Sequence, residues 1–557
     1  MARGGFEHDQ SPKWQASEVR GHKWNLYTAS GFDAFTAGIL ALYHRDAVSK
    51  GSDIVGKPNI LLLMADQMAP AALPFYGGAT AVTPVMSRLA AEGVVFSSAY
   101  CASPLCGPSR ISLLSGQLPS RIGAFDNACE FRADTPTFAH YLRLGGYRTI
   151  SAGKMHFVGP DQLHGFEERL TTDIYPADFS WTPDWTRPEE RPTWYHSMTS
   201  VTTAGPCVRT NQIDFDEEVV FTARRKLFDI ARASDPRPFF LMVSLTHPHD
   251  PFVIPKPYWD LYEGKPIPPP RVRVPRERLD PHSRRLRHVI GMDLEEVTDS
   301  QVLAARRAYY AAISYVDEQF GLILETLVEA GLDRNTVIVL CGDHGEMLGE
   351  RGLWYKMTFF EGGARVPLVI RAPPVFRPRV VSESVSNIDL LPTLLDLAGL
   401  EPGDAAPLDG RSLVPLARGE GATAERTVYA EYMGEGAVSP VIMIRRGPLK
   451  FIHAPGDPDQ LYDLAADPDE LVNLAADPRW RATTELFLAE IRKGWNLDRI
   501  EREVLASQRR RRLVAAANAI GVLESWDYQP RRDASSEYVR SHLDLEAIEA
   551  AARFPPV

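Results

Sequence analysis

Four short apolar runs in this chain each end in a cluster of polar or charged residues, and that repetition restricts the fold more than any other feature. Asn59 to Ala65 runs into Asp66-Gln67, and Arg148 to Ala152 into Gly153-Lys154-Met155-His156. Phe239 to Leu245 runs into Thr246-His247-Pro248-His249-Asp250, and Thr336 to Cys341 into Gly342-Asp343-His344-Gly345. Continuous apolar runs of this length read as strands buried on both faces. Between the last two, Tyr309, Ile313, Val316, Phe320, Ile323 and Leu327 alternate steps of four and three, the spacing of an amphipathic helix. Strands alternating with such helices predict an α/β layered fold with a mainly parallel central sheet. In such sheets ligands gather beyond the carboxyl ends of the strands, where all four clusters fall.

At 557 residues, with 44% hydrophobic and 24% charged side chains, the chain can bury a large core and form more than one domain. A net charge of −11 without a dominant basic stretch excludes a general nucleic-acid binder. The run Arg509 to Arg512 sits in a helical pattern and reads as a solvated or interfacial face. Five cysteines (Cys101, Cys106, Cys129, Cys207, Cys341) do not suggest a disulfide framework. With no apolar stretch of membrane-spanning length and no signal-peptide pattern, a cytoplasmic protein without membrane partners is expected.

Residues 1–56 read as a poorly ordered extension with one weak helix near Phe32 to Tyr43. The main domain is expected over 57–420. A composition change around Gly399 to Gly421 separates it from a small domain over 421–495, with antiparallel strands at Val428 to Tyr432, Val441 to Arg445 and Leu449 to His453. Residues 496–557 form a helical, charged and then irregular tail. The Trp-, Tyr- and Pro-rich stretch 160–236 reads as elaborated loop over the strand ends, and Ile254 to His288 as a surface excursion.

The run Cys106-Gly107-Pro108-Ser109-Arg110, continuing to Ser115-Gly116, resembles the site at which sulfatases convert a cysteine to formylglycine. Alone, such a cysteine also reads as a small buried hydrophobe, and Pro108 as a first-turn helix residue. The strand-end clusters supply what sulfate-ester cleavage needs. Asp66, Gln67, Asp343 and His344 offer an oxygen-rich ligand set with one imidazole, suited to Ca²⁺, Mg²⁺ or Mn²⁺. Singly, Asp66-Gln67 and Asp343-His344-Gly345 are better explained as turn or cap chemistry; together with the cysteine motif that explanation becomes improbable. Arg110 lies one helical turn beyond Cys106, placed to hold the nucleophile or a sulfate oxygen. Lys154 and His156, two apart in extended backbone, share a face for sulfate binding and deprotonation. His247 and Lys356 are candidates to bind sulfate and protonate the leaving oxygen. His140, His249 and His282 are expected in packing or solvent.

Together these motifs resemble the sulfatase family of the alkaline-phosphatase superfamily, most closely its choline sulfatases. The similarity runs from Lys57 to the C-terminus. It includes Asn59 to Gln67, the Cys106 motif, Asn127, Gly153 to Phe166, Thr246 to Pro251 and Gly342 to Pro367. Further on it includes Leu461-Tyr462-Asp463-Leu464, Asp467-Pro468, Asn473-Leu474, Leu505 to Val514 and Ser525-Trp526-Asp527. The resemblance implies an alkaline-phosphatase-like α/β sandwich with a small C-terminal α+β domain and an extended tail. It implies hydrolysis of choline O-sulfate, with catalytic residues Cys106, Arg110, Lys154, His156, His247 and Lys356. One divalent ion, Ca²⁺ before Mn²⁺ or Mg²⁺, is implied on Asp66, Gln67, Cys106, Asp343 and His344. A formylglycine-generating enzyme is implied as maturation partner.

A trimethylammonium group has no N–H to donate and is recognised by aromatic faces and diffuse negative charge. Among Tyr175, Trp181, Trp185, Trp194, Tyr195 and His196, the resemblance selects Trp181 and His196 for that role. It places Asn127 near the sulfate end and Glu431 as counter-charge. The tail, with Trp526, Tyr528, Tyr538 and Phe554, is expected to pack across the interface of a homo-oligomer, a dimer or tetramer. Two positions depart from many sulfatases: Ser115 precedes Gly116 where they have threonine, and Gln67 follows Asp66 where they have a second aspartate. Promiscuous aryl sulfatases and phosphonate monoester hydrolases share the ligand pattern and are the nearest alternative. A non-catalytic anion binder is the alternative of another class, if Cys106 is not matured; acid and base groups on both sides of the site argue against it.

Overall fold

The computed structural model describes residues 56–373, 375–403, 406–420, 425–523, 525–531 and 544–555. The helix expected near Phe32 to Tyr43, and Tyr538 of the tail, lie outside the described residues. The central sheet has eight strands: β1 (Asn59–Ala65), β2 (Val94–Tyr100), β3 (Arg148–Gly153), β4 (Glu168–Arg169), β5 (Phe239–Leu245), β6 (Thr336–Gly342), β7 (Leu368–Arg371) and β8 (Arg379–Ser386). Their order is β8-β2-β7-β6-β1-β5-β3-β4. β7 runs antiparallel to both its neighbours, and the other pairings are parallel.

β1 lies between β5 and β6, with Leu61 opposite Leu241 on one side and Ile338 on the other. Its period of two divides the core. Leu61, Leu63 and Ala65 pack with α2 (Asn211–Arg232) and α3 (Asp299–Glu329); Ile60, Leu62 and Met64 pack on the opposite face with α1 (Cys106–Ser115) and its neighbours. The predicted helix is α3, started by a reciprocal cap between Thr298 and Gln301, with Tyr309 through Leu327 buried at the expected positions.

Two expectations need correction. The stretch read as loop to residue 236 contains the 22-residue α2, whose Thr210 cap accepts from the Ile213 N–H at 3.1 Å. Its helical period follows directly on an aromatic and proline-rich segment that obscures it. The stretch Ile254 to His288 is not a simple excursion, because it includes Lys256–Asp260 and the start of Pro281–Ile290, and buries Tyr262 and Leu286.

A second sheet of β9 (Thr427–Tyr432), β10 (Val441–Arg446), β11 (Leu449–His453) and β12 (Gln460–Asp463) is antiparallel throughout. Ile442, Ile444, Phe451 and Leu461 on one face pack on Phe487 and Ile491 of α4 (Arg481–Gly494). The tail then turns back over its own chain. In α5 (Leu497–Asn518), Gln508 accepts from the Trp185 N–H at 3.0 Å; beyond it, Asp527 accepts from the Ala177 N–H at 2.9 Å. Trp526 meets Phe179 with ring centroids 5.3 Å apart, and Phe554 meets Phe228 at 5.6 Å. Trp526 and Phe554 thus meet this chain's own loop and α2. Among the described residues no helix is long and apolar enough to cross a membrane.

Candidate active site

Cys106 opens α1, and its side chain is 1% exposed. Its Sγ lies 3.0 Å from His344 Nε2 and 3.8 Å from Asp66 Oδ1. His344 Nδ1 faces the Gly345 carbonyl at 3.0 Å, so that nitrogen carries the hydrogen and Nε2 presents its lone pair. Asp66, Cys106, Asp343 and His344 thus bring ligand atoms within 4.8 Å of one another, all buried. Burial first, and then the Asp343 charge, push the Asp66 carboxyl up. Two carboxylates and a bare imidazole nitrogen closed off from water form a donor set that fits a hard divalent cation.

Arg110 stands one turn further along α1. Its guanidinium donates to Asp343 Oδ2 (2.9 Å), to the Lys154 carbonyl (2.6 Å) and to Ser244 Oγ (2.8 Å), and Nη2 lies 3.6 Å from Asp66. Lys154 pairs directly with Asp66 and lies 4.2 Å from the centre of the Tyr175 ring. Burial raises the pKa of the Cys106 thiol, but Lys154, Lys356 and His344 outweigh it and hold that pKa well below the usual value. Gln67 donates through its backbone to Asp343 Oδ1 at 3.0 Å, while its side chain turns toward Lys356, Glu346 and Asp250. Asn127 Oδ1 accepts from the Gly107 N–H at 2.9 Å, and its carbonyl faces His156 Nε2 at 3.0 Å. That contact places the hydrogen on Nε2 and leaves the buried Nδ1 of His156 without a partner.

The two histidines of Thr246-His247-Pro248-His249-Asp250 exchange the roles expected of them. His247 Nδ1 pairs with Asp216 Oδ2 at 2.7 Å, and its ring packs edge-on against Tyr315 of α3. His249 faces the site: Nε2 is 2.8 Å from Lys356 Nζ, and Nδ1 is 2.7 Å from the Asp250 carbonyl. Lys356 Nζ also donates to Gln67 Oε1 at 2.6 Å. The partner that captures His247, Asp216, is on α2, whose helical period the preceding aromatic and proline-rich segment obscures.

Above the charged floor lies an aromatic lid. His156, Tyr175 and Trp181 meet edge to face, with Tyr175 and Trp181 5.0 Å apart, and Trp181 stacks on Trp194 at 6.3 Å. His196 stacks on Tyr355 at 4.4 Å, beside His249, with Nδ1 3.3 Å from Asp250 Oδ2. Trp185 closes the loop onto the small domain through Nε1 and the Gly434 carbonyl at 3.1 Å. Glu431 is not the free counter-charge expected of it: its carboxylate accepts from the Ser120 N–H (2.6 Å), Ser120 Oγ (2.8 Å) and Trp495 Nε1. Glu435, four residues on, is buried with neither oxygen held by an N–H donor and with the Tyr195 hydroxyl beside it. Burial, then the Asp126 charge, push it up to about 8, against the pull of Lys356. Asp126 itself is paired with Arg511 of α5 at 2.7 Å. No spacing rule distinguishes Glu435 from Glu431; the difference is which one Ser120 and Trp495 reach.

Residues 58–400 match the Sulfatase family, residues 349–494 the C-terminal region of N-sulphoglucosamine sulphohydrolase, and residues 502–554 the C-terminal region of choline sulfatase enzymes. The chain is 46% identical over 511 residues to a choline-sulfatase of Rhizobium meliloti (strain 1021), spanning 90% of this chain and 99% of that protein. It is 28% identical over 442 residues to an arylsulfatase of Clostridium perfringens (strain 13 / Type A), spanning 73% of this chain and 90% of that one. Among solved structures, the phosphonate monoester hydrolase of Agrobacterium radiobacter superposes with a TM-score of 0.64 at 26% identity, over 78% of this chain and 95% of its own.

Proposed function

The chain belongs to the sulfatase family, and from that premise we propose that it hydrolyses choline O-sulfate to choline and sulfate. The observation that carries the choice of alcohol is the buried Glu435, which no N–H reaches and which lies beside Tyr195 of the aromatic segment, within the field of Lys356. Rings and one carboxylate without N–H partners suit a quaternary ammonium, which offers charge but no hydrogen bond. The floor suits the anionic end, where Lys154 and Lys356 are directed.

Asp66, Asp343 and His344, with residue 106 facing them, would hold a divalent cation that neutralises sulfate oxygens, while the side chain of Gln67, expected in this set, is engaged by Lys356 and Glu346; formylglycine at residue 106 would supply a hydrated aldehyde as nucleophile. Ca²⁺ is the ion favoured by this oxygen-rich set. Arg110 fixes Asp66 and Asp343 relative to α1. His156 receives a proton at its bare Nδ1, because Nε2 is committed to the Asn127 carbonyl. Lys356 and His249 share a proton on the leaving-group side, where His249 Nε2 faces Lys356 Nζ. Trp181, Tyr175 and Glu435 hold the cation and exclude water. Leu513, Ile520 and Val522 stay exposed at the end of the tail helix, which supports a homo-oligomer contact there.

The test compares turnover of choline O-sulfate, p-nitrophenyl sulfate and a phosphonate monoester, together with the mass of the peptide containing residue 106. The reading expects choline O-sulfate to be the preferred substrate and the peptide to be about 18 Da lighter than its cysteine form. Preference for the aryl or phosphonate ester would reassign the substrate, and full activity with an unmodified thiol would overturn the mechanism.

A further inference from the structure

The segment that carries Lys356 is gripped by a buried charge cluster from the small sheet. We propose that Lys450, with Glu361 and Glu470, is a positioning residue that sets Lys356 for protonation of the leaving oxygen. This rests on the role given to Lys356 above.

Lys450, on β11, is fully buried. Its Nζ donates to the Phe359 carbonyl (2.8 Å) and to Glu361 Oε1 (2.8 Å), and pairs with Glu470 Oε1 (2.6 Å). The other Glu470 oxygen accepts from the Glu361 N–H at 2.9 Å. The chain just after Lys356 is therefore fixed at three points: Met357 N–H on the Pro104 carbonyl (3.0 Å), the Phe359 carbonyl on Lys450, and the Glu361 N–H on Glu470. Pro104 lies two residues before Cys106, and Tyr100 donates from its hydroxyl to Glu361 Oε1 at 3.0 Å. One cluster thus holds both the approach to residue 106 and the segment bearing Lys356.

Packing alone does not require this arrangement. Desolvating a buried lysine between two carboxylates offsets most of the attraction gained, and apolar side chains would join the two sheets as firmly. Directional contacts to a carbonyl, a carboxylate and a backbone N–H instead fix where the segment lies. Proton transfer is sensitive to that: a displacement of about 1 Å can cost 10²-fold in rate.

The experiment uses Lys450→Met and Glu361→Gln in the full-length enzyme, with Lys356→Ala as reference. Each is assayed on choline O-sulfate, whose alkoxide must be protonated as it leaves, and on p-nitrophenyl sulfate, whose phenolate need not be. Both cluster variants should lose about tenfold or more in kcat on choline O-sulfate and less than about threefold on p-nitrophenyl sulfate, with KM nearly unchanged. Lys356→Ala should show the same selectivity, more strongly. If Lys356→Ala loses both substrates equally, its leaving-group role fails and the proposal fails with it. If Lys356→Ala is selective while the cluster variants are not, the positioning role alone is overturned. Should Lys450→Met fail to fold, Glu361→Gln, which keeps the shape and an acceptor for Tyr100, decides by the same ratio.

Discussion

The floor and the lid of this site are built by opposite means. Floor groups follow the end of a strand or sit in the first two turns of a helix, and each is pinned by another charge: Arg110 by Asp343, Lys154 by Asp66, His249 by Lys356. The lid is a long loop whose rings meet one another, and its anchors lie far away in sequence, at Gly434, Gln508, Asp527 and the Arg511–Asp126 pair. Fixed charge suits an anion of constant shape. A loop of rings whose anchors come from elsewhere can be exchanged for another without disturbing that charge, so the alcohol is read by the more replaceable half.

If that division is real, floor substitutions should hurt every sulfate ester and lid substitutions mainly the cationic one. The largest effect is expected at His249. His249→Ala should lower kcat on choline O-sulfate by about 10²-fold or more, whereas His247→Ala should leave kcat within a few-fold and chiefly lower the melting temperature, because it strips a partner from Asp216. Steady-state kinetics with a thermal melt separates the two, and the reverse pattern would restore His247 to the site.

Glu435 comes next. Glu435→Gln should cost about 30-fold or more in kcat/KM for choline O-sulfate and little for p-nitrophenyl sulfate. Its pH dependence has a definite sign. With the free carboxyl held near 8 by burial and by Asp126, it is neutral below that pH, and a bound cation favours the ionised form. Affinity for choline should therefore weaken as pH falls below about 8, by up to roughly tenfold per unit, and the dependence should flatten in Glu435→Gln. A competitive inhibition constant for choline, measured from pH 6 to 9, reads this directly.

Trp181→Ala should lower kcat/KM for choline O-sulfate about tenfold and a neutral sulfate much less; equal losses would make the ring a scaffold. The smallest effect belongs to the outer edge of the lid. Arg512 pairs with Asp184, yet its side chain is 39% exposed, so Arg512→Ala should shift the melting temperature by only about 1 °C and leave kinetics unchanged. A large loss there would mean that the tail governs the lid from its rim and not from the buried Arg511.

The floor was largely legible in the sequence because its residues lie next to the strands that aim them. Asp66, Lys154 and Asp343 follow apolar runs directly, and Arg110 is placed by helical spacing. What failed depended on distant partners. His247 and His249 are two residues apart in a turn, and only Asp216, on an unrecognised helix, decides which faces inward. Glu431 and Glu435 differ by what Ser120 and Trp495 happen to reach. The tail's aromatic residues carry no sign in sequence of the rings they meet within this chain, Phe179 and Phe228.

The Arg511–Asp126 pair joins residues 385 positions apart. During synthesis at about 5–20 residues per second, some 20–80 seconds separate the appearance of residue 126 from that of its partner. Cys106 is emerging just ahead of Asp126 and ends inaccessible beneath the finished structure. Were residue 106 converted by a second protein, as the proposed mechanism requires, that protein would have to reach the sulfur while the chain is unfinished, and folding around residue 106 would set a clock on that encounter.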